Sequence, residues 1–387
     1  MAEKAPVITA WLWLAFPCLA LNYLGQGSLV LDHPASRHNP FWDMVPTFAY
    51  WPVLLMATFA TVIASQAVIT GAFSMTQQAV QLGLLPRLDM KRTSETQAGQ
   101  IYVPAVNTFL LIGVLVLLVM FQSSHKLASA YGIAVTGAMF VDTLLAYVVL
   151  RLVWKWSLLQ TAALLVPLAL IDLVFIASNA LKIPDGAWLP LVFGAVLVLI
   201  MWTWTRGAQI LTDKTRRDSV PLVDLMEILR ARAPHRAPGT AIFLTSDPDM
   251  TPVALMHNLK HNKVLHERNV VLTVRTVETP RVADEDRVRT QAINADFKKV
   301  EIFYGFMESP NVPKALAILR KQQGLKFDIM ATSVFLGRRS IVPSANSGMP
   351  LWQDRIFIFL MKNATNPTDF FKIPPGRVVE LGAQVTV

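Results

Sequence analysis

The stretch "ASAYGIAVTGAMFVDTLLAYVV", residues 128–149, decides the fold class: it is apolar enough to cross a bilayer, yet carries Tyr131, Thr136, Asp142 and Thr143. A spanning helix needs about 20 predominantly apolar residues. Lipid does not require polar side chains, so their presence marks a face turned towards other helices or water. Tyr131 and Asp142 are 11 positions apart, close to three turns at about 3.6 residues per turn. This spacing predicts one shared face, with Ala138 and Met139 between them. Thr136 is expected to point away from that stripe, beside Thr143, unless the helix opens near Gly132 or Gly137. A discontinuous span that offers backbone carbonyls to a cation is a recurring transporter device.

The neighbouring sequence repeats the membrane signal. The chain has 387 residues, 53 % of them hydrophobic, with ten Trp. Apolar runs lie at about 8–31, 48–73, 103–121, 127–150, 157–178 and 187–205, each near or above spanning length. Six transmembrane helices are therefore expected within residues 1–206. The first run lacks a small-residue cleavage site and is followed by five more spans, so it reads as an anchor rather than a signal peptide. Asp142 and Asp172 are the only acids inside the runs. Either carboxylate could handle an ion or proton or serve as a structural partner, and Asp172 sits where it needs a hydrogen-bond donor from another helix. Tyr131 likewise has two readings, lining a solute cavity or bonding to a neighbouring helix. Thr58, Thr61 and Ser65 form a further stripe, suited to close helix packing or to a solute path.

Charge separates the membrane part from the rest of the chain. Residues 1–206 hold ten Lys/Arg and eight Asp/Glu, and residues 207–387 hold 25 and 18. The basic residues of the second half alternate with acids, which argues against nucleic acid and for a domain near an anionic bilayer. Arg87, Lys91 and Arg92, then Arg151 and Lys155, then Arg206, Lys214, Arg216 and Arg217 fall in alternate connections. The positive-inside rule therefore puts both ends of this chain in the cytoplasm. The single cysteine, Cys18, excludes an intrachain disulfide and a cysteine metal site.

Beyond residue 206 the apolar runs shorten. Residues 207–238 read as a cytoplasmic linker helix, with helical spacing over 219–232 and a Pro-rich boundary at "RAPHRAPGT", 232–240. Residues 239–387 read as one α/β domain: strands at 241–246, 270–277, 299–306, 329–336 and 377–387 alternate with helical patterns at 252–262, 312–322 and 351–363. His257 and His261 have an i, i+4 spacing with His266 nearby, but no HExxH occurs and Lys260 and Lys263 oppose a cation. That segment therefore reads as a docking helix and turn. No Walker loop, GxGxxG or GxSxG is present, so neither a cofactor nor an enzyme is expected.

The ordered motifs "LNYLGQGSLVL" (21–31), "ATVIASQAVITGAFSMTQQAVQLGLLPR" (60–87), "AGQIYVPAVN" (98–107), "AYGIAVTG" (130–137), "WLPL" (188–191), "ALMHNLKHNKVLHERNVVLTV" (254–274) and "IPPGRVVELGAQV" (373–385) resemble the KUP/HAK/KT potassium uptake permeases. The resemblance runs from about residue 8 to the end. It implies an amino-acid-permease-like (LeuT-type) core with extra spans, potassium as solute, proton symport, a bacterial inner membrane and a possible homodimer. It also implies about six further spans ahead of residues 8–31, making this chain the C-terminal part of such a permease. On that basis Tyr131 is expected at the potassium site, with Thr136 a weaker candidate. The rival expectations are a transport-incompetent fragment or a regulatory or assembly partner, and a permease of the same fold for an amino acid.

Overall fold

The computed structural model describes residues 8–92, 101–323, 332–342 and 348–386. It contains six helices of spanning length and composition among the described residues. These are α1 (Ile8–Asp32), α2 (Thr47–Gln81), α3 (Pro104–Phe121), α4 (Lys126–Val153), α5 (Leu158–Ala180) and α6 (Ile183–Arg217). Their large apolar side chains stand largely exposed, from Trp13 and Phe59 to Leu159 and Val198. Such surfaces are stable in hydrocarbon, where a helix satisfies its own backbone. The chain is therefore a multi-pass membrane protein with a soluble α/β domain.

Two compact units divide the chain, Met1–Gly71 and Ala72–Val387. In the first, α1 buries no residue in its α-helical part, Phe16–Asp32. Short turns lead from it into α2 through an aromatic run. Ring centroids there lie 5.2 Å apart for Phe41 and Trp42, 5.4 Å for Trp42 and Tyr50, and 5.9 Å for Tyr50 and Trp51. Aromatic rings of this kind favour the bilayer interface. Thr58 and Thr61 donate to the Leu54 and Thr58 carbonyls. Both hydroxyls are thus satisfied within their own helix.

In the second unit, side-chain caps fix where α4 and α5 begin. Ser123 accepts from the Lys126 N–H, and Ser157 and Gln160 close a capping box. Gly186, at φ 121°, marks a kink near the start of α6; a Cβ there would lie 2.3 Å from the Phe121 ring. A side chain is excluded both by that approach and by the left-handed backbone. Most of α4 belongs to one continuous α-helix, Ser124–Val148. Gly132 and Gly137 therefore lie inside regular helix, and the opening that the sequence permits does not occur.

Two short strands, β1 (Lys91–Arg92) and β2 (Ile101–Tyr102), pair antiparallel, and the sheet of the α/β domain has, among the described residues, six strands in the order β5-β6-β4-β3-β7-β8. The six are β3 (His235–Thr245), β4 (Val264–Val277), β5 (Val288–Ala292), β6 (Phe297–Gly305), β7 (Thr332–Val342) and β8 (Val378–Thr386). All pairs are parallel except β5 with β6. The period of two sends Ile242, Leu272 and Ile302 to the face packed by helix α9 (Val312–Gln323). Ala241, Phe243 and Val271 go to the opposite face, under α7 (Leu222–Ala231) and α8 (Val253–His257). Helices on both faces explain why these strands read as nearly continuous apolar runs.

Some elements extend or add to the sequence reading. Within 207–238, α6 continues to Arg217 and α7 covers Leu222–Ala231, inside the helical spacing read over 219–232. The Pro-rich stretch at 232–240 runs into the first strand of the α/β domain: β3 starts at His235, and its register against β4 shifts between Ala237 and Thr240. Pro238 and Gly239 fall at that irregularity, where a residue without an N–H is tolerated. Strand β5 was not expected, since in "VRTQA" only Val288 is buried and the edge position leaves Arg289, Thr290 and Gln291 in the strand. Of the expected strand at 329–336, residues 329–331 lie outside the described residues.

Candidate functional site

Helix α4 has two faces. Its buried stripe contains Ser129, Ala130, Ile133 and Thr136, the positions that recur on one side of a 3.6-residue helix. Tyr131 and Asp142 stand on the exposed side, together with Met139 and Val141. The 11-residue spacing thus brings tyrosine and carboxylate onto one surface. Tyr131 is 72 % exposed, so its hydroxyl is accessible on a face of the span where lipid alone offers no hydrogen-bond partner.

Thr136 lies on the other side and is buried. Its hydroxyl donates to the Gly132 carbonyl at 2.9 Å. Gly132 allows α5 to approach: a Cβ at this position would lie 2.5 Å from Asn179 Oδ1. On the same side, Thr143 donates to Asp172 Oδ2 at 2.6 Å. Asp172 is only 4 % exposed, so the donor from another helix that this carboxylate requires is Thr143. The sequence placed Thr143 beside Thr136 without identifying it as that donor; the missing information was the register of α4 against α5.

A second polar region joins the membrane helices to the soluble domain. The last turns of α2 bury Phe73, Gln77, Ala79, Val80 and Gln81. Gln77 donates to Ser309 Oγ at 3.4 Å, and Thr276 donates to Gln81 Oε1 at 3.4 Å. Arg87 comes next, with its guanidinium 5.7 Å from the Phe370 ring centre and 5.5 Å from that of Phe371. At α6, Thr203 accepts from Gln353 Nε2 at 3.3 Å. One turn on, Gly207 lies against Phe357, whose ring would be 2.3 Å from an added Cβ. Phe357 and Gln353 belong to helix α10 (Leu351–Lys362). Sequence periodicity missed these contacts because buried Gln and Thr resemble surface residues. The one available signal was the i, i+4 spacing of Gln77 and Gln81 at the end of an apolar run.

In the soluble domain Arg287 is held by Glu308 at 2.8 Å and Asp284 at 3.0 Å, and its guanidinium lies 5.1 Å from the Tyr304 ring centre. Burial pushes the Glu308 carboxyl up, but the Arg287 hydrogen bond and charge, with the Gly305 and Val282 N–H groups, bring it below its usual range. Burial lowers His266 below the ordinary histidine value. The His266 ring packs edge-on against Phe335 with centroids 5.6 Å apart, while His257 and His261 stack on each other at 5.7 Å. No group of three or more His, Cys, Asp or Glu suited to a metal occurs among the described residues.

Both parts of the chain have counterparts among known proteins. Residues 1–209 match the family model described as the K+ potassium transporter integral membrane domain. Residues 238–387 match the K+ potassium transporter C-terminal domain. A relative from Caulobacter vibrioides (strain NA1000 / CB15N), described as probable potassium transport system protein Kup, is 68 % identical over 391 residues, covering 99 % of this chain and 59 % of the relative. Similarly described proteins of Nitrobacter hamburgensis and Nitrobacter winogradskyi are 56 % and 55 % identical over 384 residues, each covering 99 % of this chain and 58 % and 59 % of the relative. The chain thus spans less than two thirds of the length of these curated relatives.

Proposed function

We propose that this chain, which belongs to the K+ potassium transporter family, forms part of a membrane pathway for potassium uptake. Members of that family are transporters, not enzymes, and the matches do not favour an amino acid as solute or an assembly role. The observation carrying the proposal is the accessible Tyr131 on an α4 face shared with Asp142, within the matched membrane domain. Potassium is coordinated by neutral oxygens that replace its hydration shell. In our reading the Tyr131 hydroxyl supplies one of them. Thr136 fits less well as a direct ligand, since its hydroxyl is buried and already bonded to the Gly132 carbonyl. The exposed carboxylate of Asp142 is the candidate for ion or proton coupling, and Asp172 holds α5 to α4.

Proton symport, an inner-membrane location, cytoplasmic chain ends and a dimer extend the proposal. Lys/Arg in alternate connections supports the orientation, and the family resemblance supports the other three. Two inverted repeats usually enclose a transporter's site, so we further propose that uptake needs the part of the relatives' length that this chain does not span. The test is growth of a potassium-uptake-deficient bacterium at low external potassium. The chain would be expressed as given and also joined to the remaining length of the Caulobacter relative. Growth only with the joined protein is expected. Failure of both, with both present in the membrane, would overturn the potassium assignment.

A further inference from the structure

We propose that the junction of α6 and α10 binds a monovalent cation, with the Asp354 carboxylate and the Gln353 side-chain oxygen as ligands. Asp354 is 1 % exposed and Gln353 is fully buried. Neither Asp354 Oδ1 nor Oδ2, nor Gln353 Oε1, has a hydrogen-bond partner among the described residues. Three buried acceptor oxygens on adjacent residues therefore lack a donor. Proteins avoid this arrangement, because a buried charge needs a partner of opposite sign.

Among the described residues, no ion pair joins Asp354 to a basic side chain. Arg206, on the part of α6 that reaches this turn, donates to the Gly348 carbonyl at 2.9 Å and lies 5.6 Å from the Trp202 ring centre. Arg355 and Lys362 of α10 are exposed. Asp354 lies in the first turn of α10, where the helix end offers a partial positive charge of roughly half a unit that fades within that turn. An all-oxygen donor set selects a hard cation. A single carboxylate balances one positive charge, whereas calcium sites take about 6–8 oxygens that commonly include several carboxylates.

The second ligand is positioned from the membrane side. Thr203 on α6 accepts from Gln353 Nε2 and thereby fixes the direction of Gln353 Oε1. Phe357, one turn further along α10, fits against Gly207 and packs with Trp204 at a centroid distance of 5.5 Å. A cation here would tighten the attachment of the soluble domain to the last span, which makes cytoplasmic potassium a candidate regulator. Tyr131 supplies no ligand to this site.

The test is thermal unfolding of the purified full chain, followed by tryptophan emission, as potassium replaces choline at constant ionic strength. The wild-type midpoint is expected to rise with potassium and with rubidium. Asp354→Asn should unfold at a higher temperature than wild type without potassium and should not respond to it. Thr203→Val should raise the potassium concentration needed on the order of tenfold, the equivalent of one weakened ligand. It also decides the matter if Asp354→Asn fails to fold. Arg355→Gln, an exposed change on the same helix, should respond as wild type does. A wild type that ignores potassium, an undiminished response in Asp354→Asn or Thr203→Val, loss of the response in Arg355→Gln, or a stronger response to magnesium would each overturn the proposal.

Discussion

Replacing Thr143 with valine removes one hydroxyl and leaves the side-chain shape nearly unchanged. That hydroxyl donates to Asp172 at 2.6 Å, and Asp172 is 4 % exposed between helices. A hydrogen bond to a charged group contributes about 1.5–3 kcal/mol in soluble proteins. Interhelical bonds in membranes average about 0.6 kcal/mol and reach about 1.7, because the unfolded helices find other partners. The short distance and deep burial select the overlap of these ranges, so Thr143→Val should destabilise the α4–α5 pair by about 1.5 kcal/mol. The assay is reversible unfolding in mixed micelles. Thr143→Val combined with Asp172→Leu should recover most of what Thr143→Val loses relative to Asp172→Leu alone, since replacing both partners leaves no orphan. A Thr143→Val protein within about 0.3 kcal/mol of wild type, or strict additivity in the double variant, would refute this account of the helix pair.

Three predictions concern the soluble domain. Gly305→Ala should cost about 1–3 kcal/mol in thermal melts, because its Cβ would lie 2.2 Å from the Pro280 carbonyl oxygen and backbone moves less readily than a side chain. Glu308 has a lowered pKa in the folded protein, so its contribution is complete above the ordinary glutamate value and is lost as pH falls through the folded one. Urea titrations at successive pH values should show that loss in wild type and a smaller one in Arg287→Gln. His266 is also lowered; the folded state resists its protonation, so stability should decline as pH falls below the ordinary histidine value through the folded one. The same titrations on His266→Phe should lack that component.

Features carried by periodicity were legible in the sequence, and those carried by packing were not. The six apolar runs found the spans, although α2 and α6 continue as helix to Gln81 and Arg217 beyond their apolar parts. A hydropathy window cannot see such polar extensions, which here lie against the soluble domain. The 3.6-residue period placed Tyr131 and Asp142 together and Thr136 away from them, because one regular helix fixes all three directions. The pairing of Thr143 with Asp172 needed the register between two helices, which no single segment encodes. Asp354 was invisible for a related reason: an aspartate in a helix's first turn is ordinarily a solvated capping residue, and this one is buried on a helix that packs against α6. Strand β5 was missed because an edge strand retains too few apolar residues to show alternation.

The most direct test of the central claim is the initial rate of rubidium uptake against external concentration, in cells expressing this sequence joined to the remaining length of its Caulobacter relative. Tyr131→Phe keeps the ring and removes only the oxygen assigned to the ion. The account predicts that the apparent KM rises on the order of tenfold at unchanged expression, the effect of losing about 1.4 kcal/mol of ion binding. An unchanged KM together with an unchanged maximal rate would contradict it and would leave Tyr131 as a helix-packing residue.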